Sequence, residues 1–331
     1  LLSSGRLNTE KLITHTFDLT HAPEAYDLIL SKNEPFSGIV IQYDSQKELK
    51  RAVHLNGRSL PISVINVGFV GAGSFAQGTL LPAMKGRCKF VGISTGHGNT
   101  ARYVADKYGF SYCSDSADTL LTDPKINTIF VVTRHNLHAE FVLKAIQNDK
   151  HVFVEKPLAM NESELEEISK LYSSKFEIRN SKLPLLMVGF NRRFARPVQE
   201  IKKMFSTVQP KSIMIRINAG IVPADHWVND PEIGGGRIVG EGCHFIDLAM
   251  FLAGSPITSV VANAMVDAHG LNNTAVINLE MANGSVASIN YFSNGNQTAP
   301  KELVEVFCNG TIARIDDFKE LIVFGKGKKR I

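Results

Sequence analysis

Short apolar runs alternate with amphipathic segments through the middle of the chain. The apolar runs predict buried strands, and the segments between them predict helices. The predicted strands are Val64–Val70, Lys89–Ser94, Thr128–Val132, His151–Val154 and Leu185–Val188. The predicted helices are Phe75–Lys85, Thr100–Tyr108, Ala117–Leu121, Leu137–Gln147 and Glu162–Tyr172. This alternation is typical of an α/β fold with a doubly wound parallel sheet, which we assign to residues 61–190.

The pattern changes after residue 190. One helix, Arg196–Phe205, precedes a strand at Ser212–Asn218, and a second helix covers Gly242–Ala253. Strands with alternating polarity follow at Val260–Met265, Ala275–Met281, Val286–Phe292, Leu303–Cys308 and Thr311–Ile315. Hairpin signals such as Asn309-Gly310 predict an open antiparallel sheet with a helix on one face, an α+β domain over residues 191–331. Because such a sheet needs a cover, we expect a homo-oligomer, a dimer or tetramer.

Residues 1–60 form a separate segment in the pattern. Ala22–Leu30 predicts a short helix, Ser37–Tyr43 predicts a strand, and a charged linker runs from Asp44 to about Arg58. This segment carries no glycine fingerprint and no cluster of candidate ligands.

Composition limits the classes of function. The chain has 331 residues, 44% hydrophobic and 21% charged, with a net charge of +4 that is spread along the sequence. This balance is typical of a soluble globular protein and does not favour a nucleic-acid partner. No segment reaches the roughly 18 apolar residues of a membrane span, and no signal peptide is evident. The four cysteines have no metal-like spacing and suggest free thiols, so we expect a cytoplasmic protein without a metal site.

A glycine fingerprint follows the first strand of the doubly wound region. In Gly71-x-Gly73-x-x-Ala76, the first glycine allows a tight turn and the second lets the backbone approach a pyrophosphate. Ala76 keeps the next helix close to the sheet, and the phosphates lie on the helix N-terminus near Ser74 and Phe75. A plain glycine-rich turn is the alternative, but the flanking strand and helix favour a dinucleotide site.

The end of the second strand carries no acid for the adenosine ribose. Thr95 and His97 stand there instead and leave room for a 2′-phosphate, so we favour NADP slightly over NAD. The alternative is a loop whose residues only cap the next helix.

Polar residues follow the strand that ends at Val132. Ligands bind outside the carboxyl ends of parallel strands, so Thr133, Arg134 and His135 are predicted to face the cofactor. His138 is a further cofactor candidate, and a capping or packing histidine is its alternative.

The tripeptide Glu155-Lys156-Pro157 stands at the end of another buried strand. Pro157 makes Lys156 extended, and a buried lysine can shuttle a proton, so Lys156 is a catalytic candidate. Glu155 and Lys156 are also predicted to contact the cofactor. A surface turn is the alternative.

The glycine-rich segment from Gly234 opens the second-domain helix. Glu241, His244 and Asp247 recur every third residue and would share one face of a regular helix. His244 is predicted to be catalytic with Glu241 beside it, and Asp247 to bind substrate. The alternative is a polar first turn in which acids are favoured by the helix dipole.

Two further substrate-binding candidates lie outside these motifs. Arg193 can clamp a carboxylate or phosphate, with an interdomain ion pair as the alternative. Trp227, the only tryptophan, can stack on a sugar face or simply fix its loop.

Together these motifs resemble the glucose–fructose oxidoreductase/inositol dehydrogenase/MocA (Gfo/Idh/MocA) family over about residues 63 to 325. The resemblance is carried by the fingerprint, by Thr133 with His138, by Glu155-Lys156-Pro157, by Gly189–Phe194 and by Gly234 through Asp247. It implies a Rossmann domain followed by an α/β domain whose open sheet mediates oligomers. It also implies hydride transfer between a nicotinamide cofactor and a sugar or cyclitol carbon. Lys156 and His244 would assist proton transfer.

The chain departs from that family at several positions. The aspartate that often lies four residues before the helix histidine is Gly240 here, with Glu241 beside it. The usual Pro-Asn after the threonine is Arg134-His135, and the ribose acid is missing. Residues 5 to 43 resemble instead the C-terminal tail of a zinc-type alcohol dehydrogenase, and both ends of the chain look truncated.

The leading hypothesis is therefore an NAD(P)-dependent dehydrogenase acting on a sugar, cyclitol or nucleotide sugar. An alternative keeps the cofactor but uses transient oxidation for elimination or glycoside cleavage. A second alternative is a non-catalytic nicotinamide-binding regulator, which Gly240 keeps open.

Overall fold

The structure is a computed structural model that describes residues 9–44, 52–54, 65–179, 184–205, 209–266, 270–325 and 327–330. The chain divides into two compact units after residue 50. No helix in the described ranges is long and apolar enough to cross a membrane.

The first unit is a small βαβ element. Strand β1 (Ile13–Asp18) pairs in parallel with β2 (Gly38–Gln42), and helix α1 (Ala22–Ser31) connects them along the chain. The predicted helix and second strand are confirmed. Strand β1 was missed because its apolar residues alternate with histidine, threonine and aspartate.

A seven-stranded sheet opens the second unit. Its strands are β3 (Ala52–His54), β4 (Asn66–Val70), β5 (Lys89–Ser94), β6 (Tyr112–Ser114), β7 (Thr128–Val131), β8 (His151–Val154) and β9 (Leu186–Val188). The strand order is β3-β6-β5-β4-β7-β8-β9, and all pairs are parallel except β3 with β6. The predicted doubly wound sheet is therefore confirmed. Strand β3 falls within the predicted linker, most of which lies outside the described residues.

Helices connect these strands. They are α2 (Leu81–Met84), α3 (Gly98–Tyr108), α4 (Ala117–Leu121), α5 (His138–Gln147) and α6 (Glu162–Arg179). A π-type turn, Ala76–Leu80, leads directly into α2. One face of the sheet is closed by stacked aromatic rings, with Phe69 centred 4.9 Å from Phe130 and edge-on to Phe110 at 5.9 Å. Such packing makes the strands a rigid base for the loops at their carboxyl ends.

The chain then forms a second, eight-stranded sheet with two helices. The helices are α7 (Arg196–Met204) and α8 (Cys243–Ala253). The strands are β10 (Ser212–Asn218), β11 (Ile257–Met265), β12 (Thr274–Met281), β13 (Val286–Phe292), β14 (Glu302–Cys308), β15 (Thr311–Asp316), β16 (Glu320–Phe324) and β17 (Lys328–Arg330). Their order is β11-β12-β13-β10-β14-β15-β16-β17.

This sheet is antiparallel except where β10 pairs in parallel with β13. Alternate residues of the strands face α7 and α8, and Ile215 and Ile289 pack with Phe245 and Leu248 in one buried cluster. The other face carries exposed apolar residues, including Val261 at 60% exposure. The fold is a Rossmann-like domain followed by a mainly antiparallel sheet with helices on one face.

Candidate active site

The fingerprint loop leaves β4 between two neighbouring strands. Gly71 has φ +99°, and a Cβ there would lie 2.5 Å from the Val132 carbonyl oxygen at the end of β7. The Gly71 N–H donates to the Ser94 carbonyl at 2.8 Å. Both the conformation and the space therefore require glycine at this position.

Gly73 differs from Gly71 because its surroundings are open. A Cβ at Gly73 would meet no atom within 4 Å among the described residues. Helical backbone begins at Ser74, Phe75 is exposed, and Ala76 is buried against the sheet. The loop thus presents free backbone and a helix N-terminus, which is the arrangement that receives a pyrophosphate.

The loop after β5 is held by its own threonine. The Thr95 hydroxyl donates to the His97 carbonyl at 2.6 Å and lies 3.3 Å from the His97 N–H. His97 is exposed. Thr95 is thus engaged within its own loop, His97 gives α3 no side-chain cap, and the His97 side chain stays open to solvent.

The segment after β7 sends its histidines inward. His135 is 7% exposed, and its Nδ1 lies 2.9 Å from the Gly234 carbonyl oxygen. His138 is fully buried between two carbonyls, with Nδ1 2.7 Å from Pro157 O and Nε2 3.2 Å from Thr133 O. Burial lowers the pKa of His138, so the ring is neutral and donates through one nitrogen. These contacts favour the packing alternative for His138.

Arg134 and Trp227 meet at the rim of the same cleft. The Arg134 guanidinium lies 5.6 Å from the centre of the Trp227 ring, and His135 approaches that ring edge-on at 4.8 Å. Arg134 is exposed and Trp227 is partly buried. These ring contacts favour the alternative that Trp227 fixes its loop. Part of the ring surface is still exposed.

The ammonium of Lys156 points from the end of β8 to the second sheet domain. Its Nζ donates to the Gly240 carbonyl oxygen at 2.6 Å. The preceding Glu155 is partly buried, and its Oε1 lies 2.7 Å from the place of a Cβ on Gly189. Burial raises the pKa of Glu155, and the neighbouring Lys156 opposes that rise.

Glu241 lies at the centre of a network of charges. It pairs with Arg237 at 3.1 Å and Lys301 at 2.6 Å, and it accepts a hydrogen bond from the Tyr291 hydroxyl. Burial alone would raise its pKa, but these three partners outweigh burial and lower it to about 2. The carboxylate therefore stays ionised at neutral pH.

His244 differs from Glu241 because one of its ring nitrogens lacks a hydrogen-bond partner. The ring is 4% exposed, and Nδ1 is buried without a hydrogen bond in the described structure. Burial, followed by Arg192 and Lys156, lowers its pKa to about 3. His244 is thus a neutral histidine with an unsatisfied nitrogen, and such a group calls for a partner.

Two ion pairs tie the segment after β9 to the second sheet domain. Arg193 Nε lies 2.9 Å from Asp247 Oδ2, and a second bond joins the same two side chains. Arg192 forms a similar fork with Glu302 at 3.0 and 2.6 Å. The ion-pair alternative for Arg193 is therefore the one that the geometry favours.

The structure brings together only part of the predicted set. The charge of Lys156, just after the carboxyl end of β8, acts on His244, whereas Glu241 and Asp247 face different partners. The i, i+3 argument does not hold because Glu241 belongs to a π-type turn, Ile238–Gly242, and not to a regular helix. Within the described ranges, no group of three His, Cys, Asp or Glu side chains is placed to hold a metal.

Sequence reasoning missed the residues that hold Glu241 and Arg192. These are Arg237, Tyr291, Lys301 and Glu302. Lys301 and Glu302 are adjacent charged residues at the start of β14, which is mainly apolar apart from Glu305, and this signal was available in the sequence.

Comparisons with known proteins agree with this geometry. A family model described as the Gfo/Idh/MocA oxidoreductase family with an NAD-binding Rossmann fold matches residues 65–178. A second model, for the C-terminal domain of the same family, matches residues 209–313. Neither covers residues 5 to 43, whose alcohol-dehydrogenase resemblance has no support from them and stays a prediction.

Relatives include dehydrogenases of cyclic alcohols. A myo-inositol 2-dehydrogenase of Thermotoga maritima is 27% identical over 57% of this chain and 56% of its own length. A trans-1,2-dihydrobenzene-1,2-diol dehydrogenase of Xenopus laevis is 31% identical over 54% of this chain and 53% of its own. Across the first three relatives, including an uncharacterised Bacillus subtilis oxidoreductase, the chain matches between 53 and 67% of their length.

Solved structures show the same fold. A Clostridium difficile dehydrogenase is 25% identical, with a TM-score of 0.64 over 81% of this chain and 83% of its own. A levoglucosan dehydrogenase in complex with NADH has a TM-score of 0.70 at 21% identity, over 81% of this chain and 79% of its own. With both family models matched in order along one chain, this protein belongs to the Gfo/Idh/MocA oxidoreductase family and carries its NAD-binding Rossmann domain.

Proposed function

We propose that this chain is an NAD(P)-dependent dehydrogenase that acts on a hydroxyl-bearing carbon of a sugar, cyclitol or nucleotide sugar. The observation that carries the proposal is that the charge of Lys156, which follows the carboxyl end of β8, acts on the buried His244, whose Nδ1 has no hydrogen bond in the described structure. Relatives named for inositol and for a dihydrobenzene diol support a cyclic alcohol as substrate.

The residues of the cleft divide the chemistry between them. When bound, the nicotinamide exchanges a hydride with the carbon that bears the hydroxyl. Lys156 gives one N–H to Gly240 O and has two more to donate to the substrate oxygen, which stabilises negative charge there. Neutral His244 offers a nitrogen lone pair for the hydroxyl proton. We assign the partly exposed face of Trp227 at the rim to cover a ring face of the substrate.

The role of Glu241 in this scheme is to hold the site and not to move a proton. Its carboxylate is already held by Arg237, Lys301 and Tyr291, so freeing it to take up a proton would break three contacts. Arg193 and Asp247 likewise satisfy each other, so we assign them to domain contact. Ser74, Phe75, Thr133 and the backbone around them remain cofactor candidates.

NADP is the cofactor we favour slightly. No acid follows β5, and the exposed His97 can approach a 2′-phosphate, whereas the ribose of NAD usually meets a carboxylate at this point. The four free cysteines suit a reducing compartment, so a cytoplasmic location also stays our expectation.

A second copy of the chain is the partner we propose for the open sheet face. Met214, Val261, Val286 and Phe307 line one shallow depression of about 450 Å³ on that face. Their exposed apolar surface spans neighbouring strands. In an isologous contact, the same surface would be buried on both copies of the chain.

Substitutions at two glycines should separate cofactor binding from folding. Gly73→Ala should leave the melting temperature nearly unchanged because its Cβ meets nothing, yet weaken cofactor binding about tenfold or more by blocking the pyrophosphate. Gly71→Ala should lower the melting temperature as well, through its positive φ and the clash with Val132 O. Fluorescence titration with NADP and NAD measures affinity and also tests the NADP preference. Gly78→Ala, equally open, is the control; if it weakens binding as much, the assignment of Gly73 is wrong.

Replacement of Lys156 should abolish turnover and spare the cofactor. In Lys156→Met, kcat with an accepted polyol should fall about 100-fold or more because the substrate oxygen loses its charged donor. The dissociation constant of the reduced cofactor should change less than about threefold. Lys170→Met, which breaks only an exposed pair with Glu166, is the matched control.

A folded, cofactor-binding wild-type protein without turnover on any polyol would favour a regulator, and product without net cofactor reduction would favour elimination.

Removal of the Glu241 charge should cost stability in a pH-dependent way. A carboxylate whose pKa falls from about 4.5 to about 2 on folding stabilises the fold above pH 4.5, and this stability is lost as pH falls towards 2. Glu241→Gln should therefore lower the unfolding free energy at pH 7 by on the order of 3 kcal/mol, and the gap to wild type should narrow between pH 5 and pH 3. Urea unfolding of both proteins at several pH values measures this difference in unfolding free energy. Glu166→Gln, in an exposed pair, should change stability by less than about 0.5 kcal/mol; a constant gap for Glu241 would contradict the linkage.

Charge on the open sheet face should separate the subunits. Val261→Lys with Phe307→Glu places two charges in the apolar depression, and light scattering should then report half the native mass or less. Tyr103→Lys changes an exposed aromatic residue on the Rossmann side and should leave the mass unchanged. A wild-type protein that is already monomeric would overturn the proposed interface.

A further inference from the structure

Two positions at which this chain departs from the resembled family touch each other in space. A Cβ on Gly240 would lie 2.7 Å from His135 Cε1 and 3.3 Å from His135 Nδ1. Atoms of real side chains do not approach so closely. Position 240 therefore has no room for a side chain while the His135 ring is in place.

The need for glycine at 240 is one of space and not of backbone conformation. Gly240 is absent from the described residues with positive φ, and it lies within the helical turn Ile238–Gly242. Alanine would favour such a turn by about 1 kcal/mol over glycine. The imidazole of His135 is thus the specific feature that alanine would meet there.

The ring of His135 is held firmly against this turn. Its Nδ1 donates to the Gly234 carbonyl at 2.9 Å, and its edge meets Trp227 at 4.8 Å between centres. The next residue, Asn136, donates its N–H to the Ile233 carbonyl at 3.3 Å. The end of β7 and the turn before α8 are therefore locked together around one side chain.

Lys156 depends on that turn for its position. Its Nζ donates to the carbonyl oxygen of Gly240, the residue against which His135 packs. The titratable groups that face His135 are Lys156 and His138, and Arg134 shares the Trp227 ring. Burial first, and then Lys156, lowers the pKa of His135 to about 4, so the ring adds no charge beside the ammonium at neutral pH.

We propose that His135 is a positioning residue that fills the side-chain volume at position 240 and so sets where the Gly240 carbonyl holds Lys156. The proposal rests on the proposed function, since it assigns the support of the proton-handling lysine. It makes His135 and Gly240 a complementary pair: each residue is tolerated because of the other.

Substitutions at both positions test the pair. In Gly240→Ala, the new methyl must push the ring or the turn aside, and kcat should fall about 10- to 100-fold through misplacement of Lys156. His135→Asn keeps an amide donor for Gly234 O but removes Cε1, and it opens room at position 240. In the His135→Asn protein, adding Gly240→Ala should lower kcat by less than about threefold. Gly92→Ala is a matched control, because its Cβ would lie 2.6 Å from the Tyr112 ring within the Rossmann sheet; it should lower the melting temperature and spare kcat per folded protein.

Three readouts separate positioning from a merely structural role. Cofactor affinity should stay within about twofold in all variants, and kcat should change more than KM. His135→Asn with Gly240→Asp places a carboxylate beside Lys156, which favours the charged lysine, so the pH profile of kcat should move to higher pH. Melting temperatures of the four proteins of the cycle should also be non-additive.

Each failure has its own signature. Equal effects of Gly240→Ala on kcat in both backgrounds, or an unmoved pH profile, would overturn the positioning role. Additive melting temperatures would overturn the His135–Gly240 contact itself. A folded wild-type protein that binds cofactor but turns over no polyol would overturn the proposed function, and the positioning role with it, while the melting temperatures still report on the contact.

Discussion

The parallel pairing of β4 with both β5 and β7 is the interaction on which the site depends. β4 lies between them, so the chain leaves it into a crevice bounded by the ends of two neighbouring strands. Val132 N–H donates to Val70 O at 2.8 Å, and Gly71 N–H donates to Ser94 O at the same distance. These bonds put the fingerprint loop against the segment that carries Thr133 and His135. Ligands of doubly wound sheets bind at this change of strand order for that reason.

Ion pairing decides which side chains of the cleft remain free for chemistry. Arg192 with Glu302 and Arg193 with Asp247 join the segment after β9 to the second sheet domain, and Glu241 joins Arg237 to Lys301. A carboxylate in such an ion pair already accepts hydrogen bonds from its cationic partner and is not free to bind substrate. What is left beside the cofactor edge is a lysine bonded to a carbonyl and a buried, neutral histidine. The cleft therefore uses its acids to hold shape, and this leaves Lys156 and His244 as the residues to which we assign its chemistry.

The sequence predicted the positions of the strands along the chain better than it predicted which strands pair with each other. The bounds of β5 and β10 are those expected, because a buried strand shows a continuous or alternating apolar pattern that ends at a turn signal. β6 and β16 were missed; β6 is only three residues long and has a mixed pattern. The parallel pairing of β10 with β13 was also missed, since period-two alternation tells which face a residue occupies but not which strand lies beside it. Similarly, the spacing of Glu241 and His244 suggested one shared face, and a π-type turn separates them.

The contact between His135 and Gly240 shows why part of the site is beyond a single sequence. Considered alone, each residue departs from the resembled family. His135 stands where that family usually has an asparagine, and Gly240 stands where it often has an aspartate. The two residues fit each other in volume: the His135 ring occupies the space that a side chain at position 240 would need. They are about a hundred residues apart, so no local sequence pattern can show this fit. In the folded chain the ring excludes a side chain at position 240, and the bare carbonyl there holds Lys156. The departure that argues against catalysis in the sequence therefore coincides, in space, with a backbone carbonyl that accepts a hydrogen bond from Lys156.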